Sequence, residues 1–346
     1  MARERIISAE EQPEDQSPGV ADFNPALRPR KLHEYIGQPE LIERIRIAVE
    51  AAKKRSEPME HVLLSGPPGL GKTTLAHIIA DEMNGSSPKI TSGPALIKPG
   101  DLVGILTNLK PGDVLFIDEI HRMSHVVEEY LYPAMENFTV DVIMDSGPHA
   151  QVMNIPLAPF TLIGATTRTG LISGPMRSRF GIAHHLAYYS PQDLHKILTR
   201  SAELLKLPAE PGPLLQIASR SRGTPRVANR LLRRVRDFAV VRSHGKLTPD
   251  VLDQALALEG IDALGLDPLD RRFMTIMARD YEGGPVGIEA MAATMGEERD
   301  TLEDVVEPFL LQIGFIRRTP KGRQLTNAAY QHLGLDKPAE KPESLF

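Results

Sequence analysis

Between about residues 60 and 185, short apolar runs alternate with stretches whose apolar positions recur every three to four residues. That alternation predicts an α/β fold, a doubly wound parallel sheet with helices packed on it. Strands fall at about 61–65, 113–117 and 160–165. The segment 136–155 reads as a long hairpin with a Ser-Gly-Pro-His tip, inserted between the second and third of these strands. From Ser190 the pattern turns helical. Ser190-Pro191 supplies an N-cap and a proline at the first helical position, and Leu194, Ile197, Leu198, Ala202 and Leu205 share one face of the helix it opens. Further helices are predicted near 212–220 and 225–242, and Thr248-Pro249 caps another.

A linker-like stretch at about 260–268 precedes helical patterns at 268–281, 287–295 and 297–312. Gly314 to Leu325 then reads as a hairpin turning at Thr-Pro-Lys-Gly. Three helices and a hairpin are the plan of a winged helix. The pattern divides the chain into a large α/β domain at 25–189, a small helical domain at 190–260 and a winged-helix domain at 261–335. The acidic, proline-rich tail at 1–24 and the mixed-charge tail at 336–346 are expected to be disordered, because neither can bury a core.

The first strand runs into Gly66-Pro-Pro-Gly-Leu-Gly71-Lys72-Thr73, and an amphipathic helix begins immediately after it. Strand, glycine-rich octet and helix together form a phosphate-binding loop. Glycines let several N–H groups converge on the phosphates, and the helix N-terminus adds partial positive charge. Lys72 is expected to reach the β- and γ-phosphates and the Thr73 hydroxyl to ligate Mg²⁺. The second strand ends in Asp118-Glu119. If it neighbours the first, Asp118 holds Mg²⁺ through water and Glu119 orients the attacking water. The other account is a strand end carrying solvated charge.

Other segments leave two readings open from the residues alone. Thr166 and Thr167 end the third strand, as phosphate sensors or as ordinary strand residues. Met176-Arg-Ser-Arg179-Phe180 offers an arginine finger, or surface arginines. From Arg220 to Arg236 there are seven arginines and no acid; Arg226 reaches the nucleotide, or the arginines form a solvated face. The hairpin's Met153 and Ile155 serve a partner surface or the core. Arg317, Arg318, Lys321 and Arg323 line up for phosphates along a wing, or form a solvated basic turn.

Composition narrows the class. The 346 residues carry a formal net charge of −5, so any DNA contact must be a local patch. The absence of cysteine excludes disulfides and thiolate metal sites and suits a reducing cytosol. A charged start and no long apolar run predict neither signal peptide nor membrane span, hence a cytoplasmic protein.

Taken together the segments resemble the bacterial RuvB family, AAA+ motors of Holliday-junction branch migration. The resemblance rests on Gly-Pro-Pro-Gly-Leu-Gly-Lys-Thr-Thr74, Leu-Phe-Ile-Asp-Glu-Ile-His-Arg122, Leu-Tyr-Pro-Ala-Met-Glu136, Leu-Ile-Gly-Ala-Thr-Thr-Arg168 and Arg-Gly-Thr-Pro-Arg226. Asn229 to Asp237, Gly283 to Gly287 and Gly296 to Arg299 add to it, so that it runs from about Leu27 to Gly334. It implies a large ATPase domain, a helical lid and a winged-helix head. Implied nucleotide contacts are Leu27, Arg28, Tyr189 and Arg226, with Glu136, Asn137 and Phe138 nearby. Gly69, Gly71, Lys72, Thr73 and Thr74 would cradle the phosphates. Thr166 takes the first sensor role, Arg226 the second, and Arg179 acts on the neighbouring subunit. Arg299, Arg318 and Arg323 match DNA-contacting positions, and the 136–155 hairpin matches a surface for RuvA. Ser178, where an acid can occur, and Lys321, for a common arginine, are minor departures.

The implied function is an ATP- and Mg²⁺-dependent hexameric motor on junction DNA, acting with RuvA and the RuvC resolvase. A clamp loader would carry a Ser-Arg-Cys finger motif and a helical collar instead. An initiator-type ATP switch shares the ATPase and winged helix, and differs in turning over slowly.

Overall fold

The computed structural model describes residues 27–143 and 152–337. The tail at 1–24, most of that at 336–346 and the tip of the 136–155 hairpin lie outside the described residues.

The large domain runs α1 (Pro39–Arg55), β1 (Val62–Ser65), α2 (Lys72–Asn84), β2 (Lys89–Ser92), α3 (Pro99–Thr107), β3 (Val114–Asp118) and α4 (His125–Asn137). The antiparallel pair β4 (Thr139–Ile143) and β5 (Val152–Pro156) comes next, then β6 (Thr161–Thr166), α5 (Gly174–Ser178) and β7 (Ile182–His185). The main sheet is parallel throughout, in the order β2-β3-β6-β1-β7. Helices cover both faces, which is why the central strands are continuous apolar runs. Val62, Leu64 and Phe116 pack toward Leu41, Ile45, Leu75 and Ile78 of α1 and α2. Leu63, Leu115 and Ile117 face the opposite way, toward Leu102 and Leu131 of α3 and α4. The edge strands β2 and β7 lack such a run, and periodicity does not pick them out.

Four helices build the lid: α6 (Pro191–Leu204), α7 (Pro211–Ser219), α8 (Pro225–Arg242) and α9 (Pro249–Leu258). Each opens on proline, whose missing N–H costs nothing in the first turn. The Ser190 side chain caps α6 by accepting from the Asp193 N–H at 3.1 Å. Lid residues such as Leu198, Leu232 and Leu252 belong to the same buried cluster as the α1–α2 face of the sheet.

The head has its own core. It comprises α10 (Pro268–Asp280), α11 (Ile288–Met295), a helical run over 299–312, β8 (Ile316–Thr319), β9 (Gly322–Leu325) and α14 (Asn327–Leu333). The run is α12 (Arg299–Thr301), a π-helical turn (Leu302–Val306) and α13 (Glu307–Gln312). The stretch expected to be a linker at 260–268 is instead tightly built. The Asp262 carboxylate accepts from the Leu264 and Leu266 N–H groups, each at 2.9 Å, and Leu266 is buried in the head core.

Candidate active site

Gly66 to Gly71 carries the chain from β1 to α2, which starts at Lys72. Gly69 (φ +82°) and Gly71 (φ +100°) adopt backbone that L side chains avoid. A Cβ on Gly71 would also meet the Tyr35 hydroxyl at 2.9 Å. The Lys72 ammonium folds back over the loop, donating to the carbonyls of Gly66 at 2.7 Å and Pro67 at 2.9 Å. Burial pushes its pKa down to about 8, against the opposing pull of Asp118.

The strand register brings the other candidates to the same rim. Ser65 pairs with Thr166, Ile117 with Gly164 and Ser92 with Asp118. The condition that β1 and β3 be neighbours is not met, because β6 lies between them. Asp118 nonetheless lines the same cavity as Lys72. Burial raises its carboxyl above the usual range, and the carboxylate accepts the Glu119 N–H at 2.9 Å. Glu119 turns at φ +46°, and Arg122 holds its carboxylate at 3.0 Å.

These groups line a cavity of about 260 Å³ at the carboxyl ends of the strands, where open α/β sheets bind ligands. Leu27, Arg28, Gly69, Gly71, Lys72, Thr73, Thr74, Asp118, Glu119, Tyr189 and Arg226 all line it. Sequence reasoning missed Tyr35, Asn229 and Arg200. The Tyr189 hydroxyl donates to that of Tyr35 at 2.8 Å, and Tyr35 donates to the Leu70 carbonyl at 3.2 Å. Burial lifts Tyr189 to about 12 and raises Tyr35 as well, so both stay neutral phenols. No motif marks Tyr35; packing against the loop and against Tyr189 brings it there.

Three family models match in tandem. They are the Holliday junction DNA helicase RuvB P-loop domain over residues 27–186, the RuvB AAA lid domain over 189–262, and the RuvB C-terminal winged helix domain over 263–334. The chain belongs to the RuvB family. It is also similar to the solved Thermotoga maritima RuvB Holliday junction branch migration motor. Identity there is 48%, over 90% of this chain and 100% of that one, with a TM-score of 0.82. A mutant of the same Thermotoga RuvB matches at 49% identity, over 90% of this chain and 99% of that one, with a TM-score of 0.83.

Other RuvB-like candidates fall outside the cavity lining. Thr166 is buried, with its Oγ1 2.9 Å from His121 Nδ1 and accepting the Arg168 N–H at 3.0 Å. The next residue, Thr167, is the one that lines the cavity, because successive side chains alternate at a strand end. Glu136, Asn137, Phe138 and Arg179 are likewise absent from the lining. Phe138 turns at φ +52° and packs edge-on to Phe160, with ring centroids 5.9 Å apart. Arg179 is held by Glu136 at 3.0 Å, donates to the Pro175 carbonyl at 2.7 Å and lies over the Tyr132 ring at 4.1 Å. Arg179 and Glu136 thus form one patch apart from this chain's own cavity. Arg177 beside them is exposed.

In the head, Arg318 and Arg323 are both paired with acid rather than unopposed, Arg318 with its side chain still exposed and Arg323 largely buried. Both bond the buried Glu307 of α13, and Arg323 also bonds Glu303 at 3.2 Å. Arg299 pairs with Glu289 at 2.8 Å and Glu303 at 3.3 Å. The hairpin splits the two partner candidates. Met153 and Ile155 pair with Val142 and Val140 and so share a face. At the root Ile155 is half-buried against the core, while Met153 is exposed.

Proposed function

We propose that this chain is an ATP-hydrolysing motor driving branch migration at Holliday junctions, as a hexameric ring with RuvA, at junctions that RuvC resolves, in the cytoplasm. The observation that carries the reading is the cavity itself, where the phosphate loop, Asp118, Glu119 and the lid's Arg226 meet. Among the described residues no helix is long and apolar enough to cross a membrane.

Lys72 holds the β- and γ-phosphates, leaving its loop carbonyls as phosphate arrives. Glu119, aimed by its left-handed backbone, accepts a proton from the attacking water. Thr167, rather than Thr166, meets the γ-phosphate, and Arg226 reports its presence to the lid. Thr73 and Asp118 line one cavity, an oxygen set that suits Mg²⁺ once phosphate and water oxygens fill its other positions. When bound, Mg²⁺ supplies charge neutralisation at those phosphates. Arg179 acts in trans, since the patch it shares with Glu136 and neighbouring Asn137 and Phe138 stands apart from the cavity of its own chain. A site completed by a neighbour couples hydrolysis to movement between subunits.

Purified protein, RuvA, ATP and a labelled four-way junction test the reading. Junctions should part into duplexes, and ATPase should rise with RuvA and junction DNA. Slow ATPase indifferent to both, with junctions bound but not moved, would point to an initiator-type switch.

A further inference from the structure

The strand β6 ends beside the nucleotide cavity, and three residues there have different jobs. Thr166 points inward, Thr167 lines the cavity, and Arg168 reaches out of the ATPase domain altogether. Its Nη2 lies 3.1 Å from Asp304, 3.3 Å from Glu303 and 3.6 Å from Asp300. All three acids belong to the helical run 299–312 of the head. They stand at positions i, i+3 and i+4, on one helix face.

Glu303 is the hinge of this arrangement. One of its oxygens, Oε2, meets Arg168, while Oε1 takes Arg323 at 3.2 Å and Arg299 at 3.3 Å. A residue adjoining Thr167 therefore shares a single carboxylate with Arg299, which matches a DNA-contacting position of the family, and with Arg323, which orders the wing. The main chain of Arg168 is tied at the other end, because its N–H donates to Thr166 Oγ1, which is bonded in turn to His121.

The head's contact with the lid is of another kind. Arg222 is buried, donates to the Gly265 carbonyl at 3.0 Å, pairs with Asp267 at 2.7 Å and Asp270 at 2.6 Å, and lies over the Phe309 ring at 4.9 Å. Separating such buried charges is costly. Arg168, Asp300 and Asp304 are between one-third and two-thirds exposed and Glu303 is 13% exposed, so this contact is less buried than the Arg222 joint and the cheaper of the two to break. The head thus has a buried joint to the lid and a more exposed contact to the ATPase domain beside the cavity.

We propose that Arg168 is a positioning residue that conveys the nucleotide state of the ATPase domain to the DNA face of the head through Glu303, which holds Arg299 and the wing-ordering Arg323. With Arg168 engaged, Asp300, Glu303 and Asp304 are neutralised from the ATPase side, and Arg299 and Arg323 are less tightly held by acid. With Arg168 withdrawn, those acids claim the same arginines. DNA affinity thereby tracks the cavity, and by reciprocity DNA influences nucleotide binding. The inference rests on the motor reading and adds to it a named route.

Duplex DNA affinity is measured with and without ATP, in a Glu119→Gln background that retains nucleotide. The parent should show an ATP-dependent change of about fivefold or more, within the usual range of coupling between sites. Arg168→Gln should bring that ratio to within about twofold of unity, with the melting temperature and ATP affinity in the absence of DNA unchanged. Asp304→Asn should do the same, and the double variant should lose little beyond either single one. A ratio that survives in both variants overturns the route while leaving the motor intact. A parent without DNA binding or without any ATP dependence overturns the motor reading and this route together.

Discussion

The main-chain N–H of Arg226 donates to the carbonyl of Gly69 at 3.3 Å, joining the first turn of the lid helix α8 to the phosphate loop. The two residues are so close that a Cβ on Gly69 would stand 2.9 Å from the Cβ of Arg226, at a φ of +82°. Gly69→Ala should therefore push the lid from the loop. Left-handed backbone alone costs an alanine about 1–2 kcal/mol, so ATP affinity should fall roughly tenfold while the rest of the fold persists. Calorimetric titration with ATP checks this; affinity within twofold of the parent would show the contact to be dispensable.

ATP affinity should also carry a pH signature of Lys72. In the free protein its pKa is depressed to about 8 by burial, and bound phosphates favour the charged form and raise it again. Below about 8 the ammonium is charged with or without nucleotide, so affinity is flat. Above it, binding must take up a proton, and affinity should fall by up to about tenfold per pH unit. Dissociation constants from pH 7 to 9.5 at fixed ionic strength test this. A profile level across that span would mean the amine is fully charged before ATP arrives.

Glu119→Gln should bind ATP and fail to turn it over, since proton acceptance is lost and the phosphate contacts stay. Lys72→Ala should lose hydrolysis through weakened phosphate binding. Arg179→Ala should bind ATP yet hydrolyse it about 10³-fold more slowly or worse. Mixing Arg179→Ala with Lys72→Ala protein should restore partial activity, because some interfaces then pair an intact loop with an intact finger. Hexamers shown to be mixed, but inactive, would argue against action in trans.

The phosphate loop, the acidic strand end and the winged-helix plan were legible in the sequence because each is local. A loop flanked by strand and helix, or an apolar run ending in two acids, needs no distant partner to be recognised. What escaped was set by topology. The insertion of β6 between β1 and β3 cannot be read from either strand, and it separates the phosphate loop from Asp118 while keeping both in one cavity. The choice between Thr166 and Thr167 depends on a single-residue register. The acids that hold Arg318 and Arg323 lie more than ten residues back along the chain, on a helix, so the wing segment alone reads as unopposed basic charge.

The hairpin should separate two effects that its sequence merges. Met153 is exposed and Ile155 packs against the core. Met153→Asp should weaken RuvA binding at least tenfold and leave the melting temperature within a degree or two. Ile155→Asp should destabilise the large domain by about 1–3 kcal/mol, through burial of an unpartnered carboxylate. Titration with RuvA and thermal melts, run on both variants, distinguish them. Unchanged RuvA affinity in Met153→Asp would remove the exposed end of this hairpin face from the partner surface.

The wing arginines should divide in the same manner, because Glu307 uses them differently. Its carboxylate is fully buried and bonds both Arg318 and Arg323. The Arg318 side chain is 55% exposed, so part of its guanidinium faces solvent while the rest orders the wing. Arg323 is only 16% exposed and commits Nε and Nη2 to Glu307 and Glu303. Arg318→Ala should therefore weaken duplex binding equally on unrelated sequences and lower the salt slope by about one unit, as loss of one phosphate contact does. Arg323→Ala should instead lower head stability by about 2–3 kcal/mol, since hydrogen bonds to a buried charge are lost. Its DNA affinity should fall only as far as the wing loosens. Affinity against salt on two duplexes, with thermal melts of each variant, settles which arginine meets DNA. An unchanged melting temperature with a unit drop in salt slope for Arg323→Ala would reverse the assignment, and a loss confined to one duplex would indicate base readout.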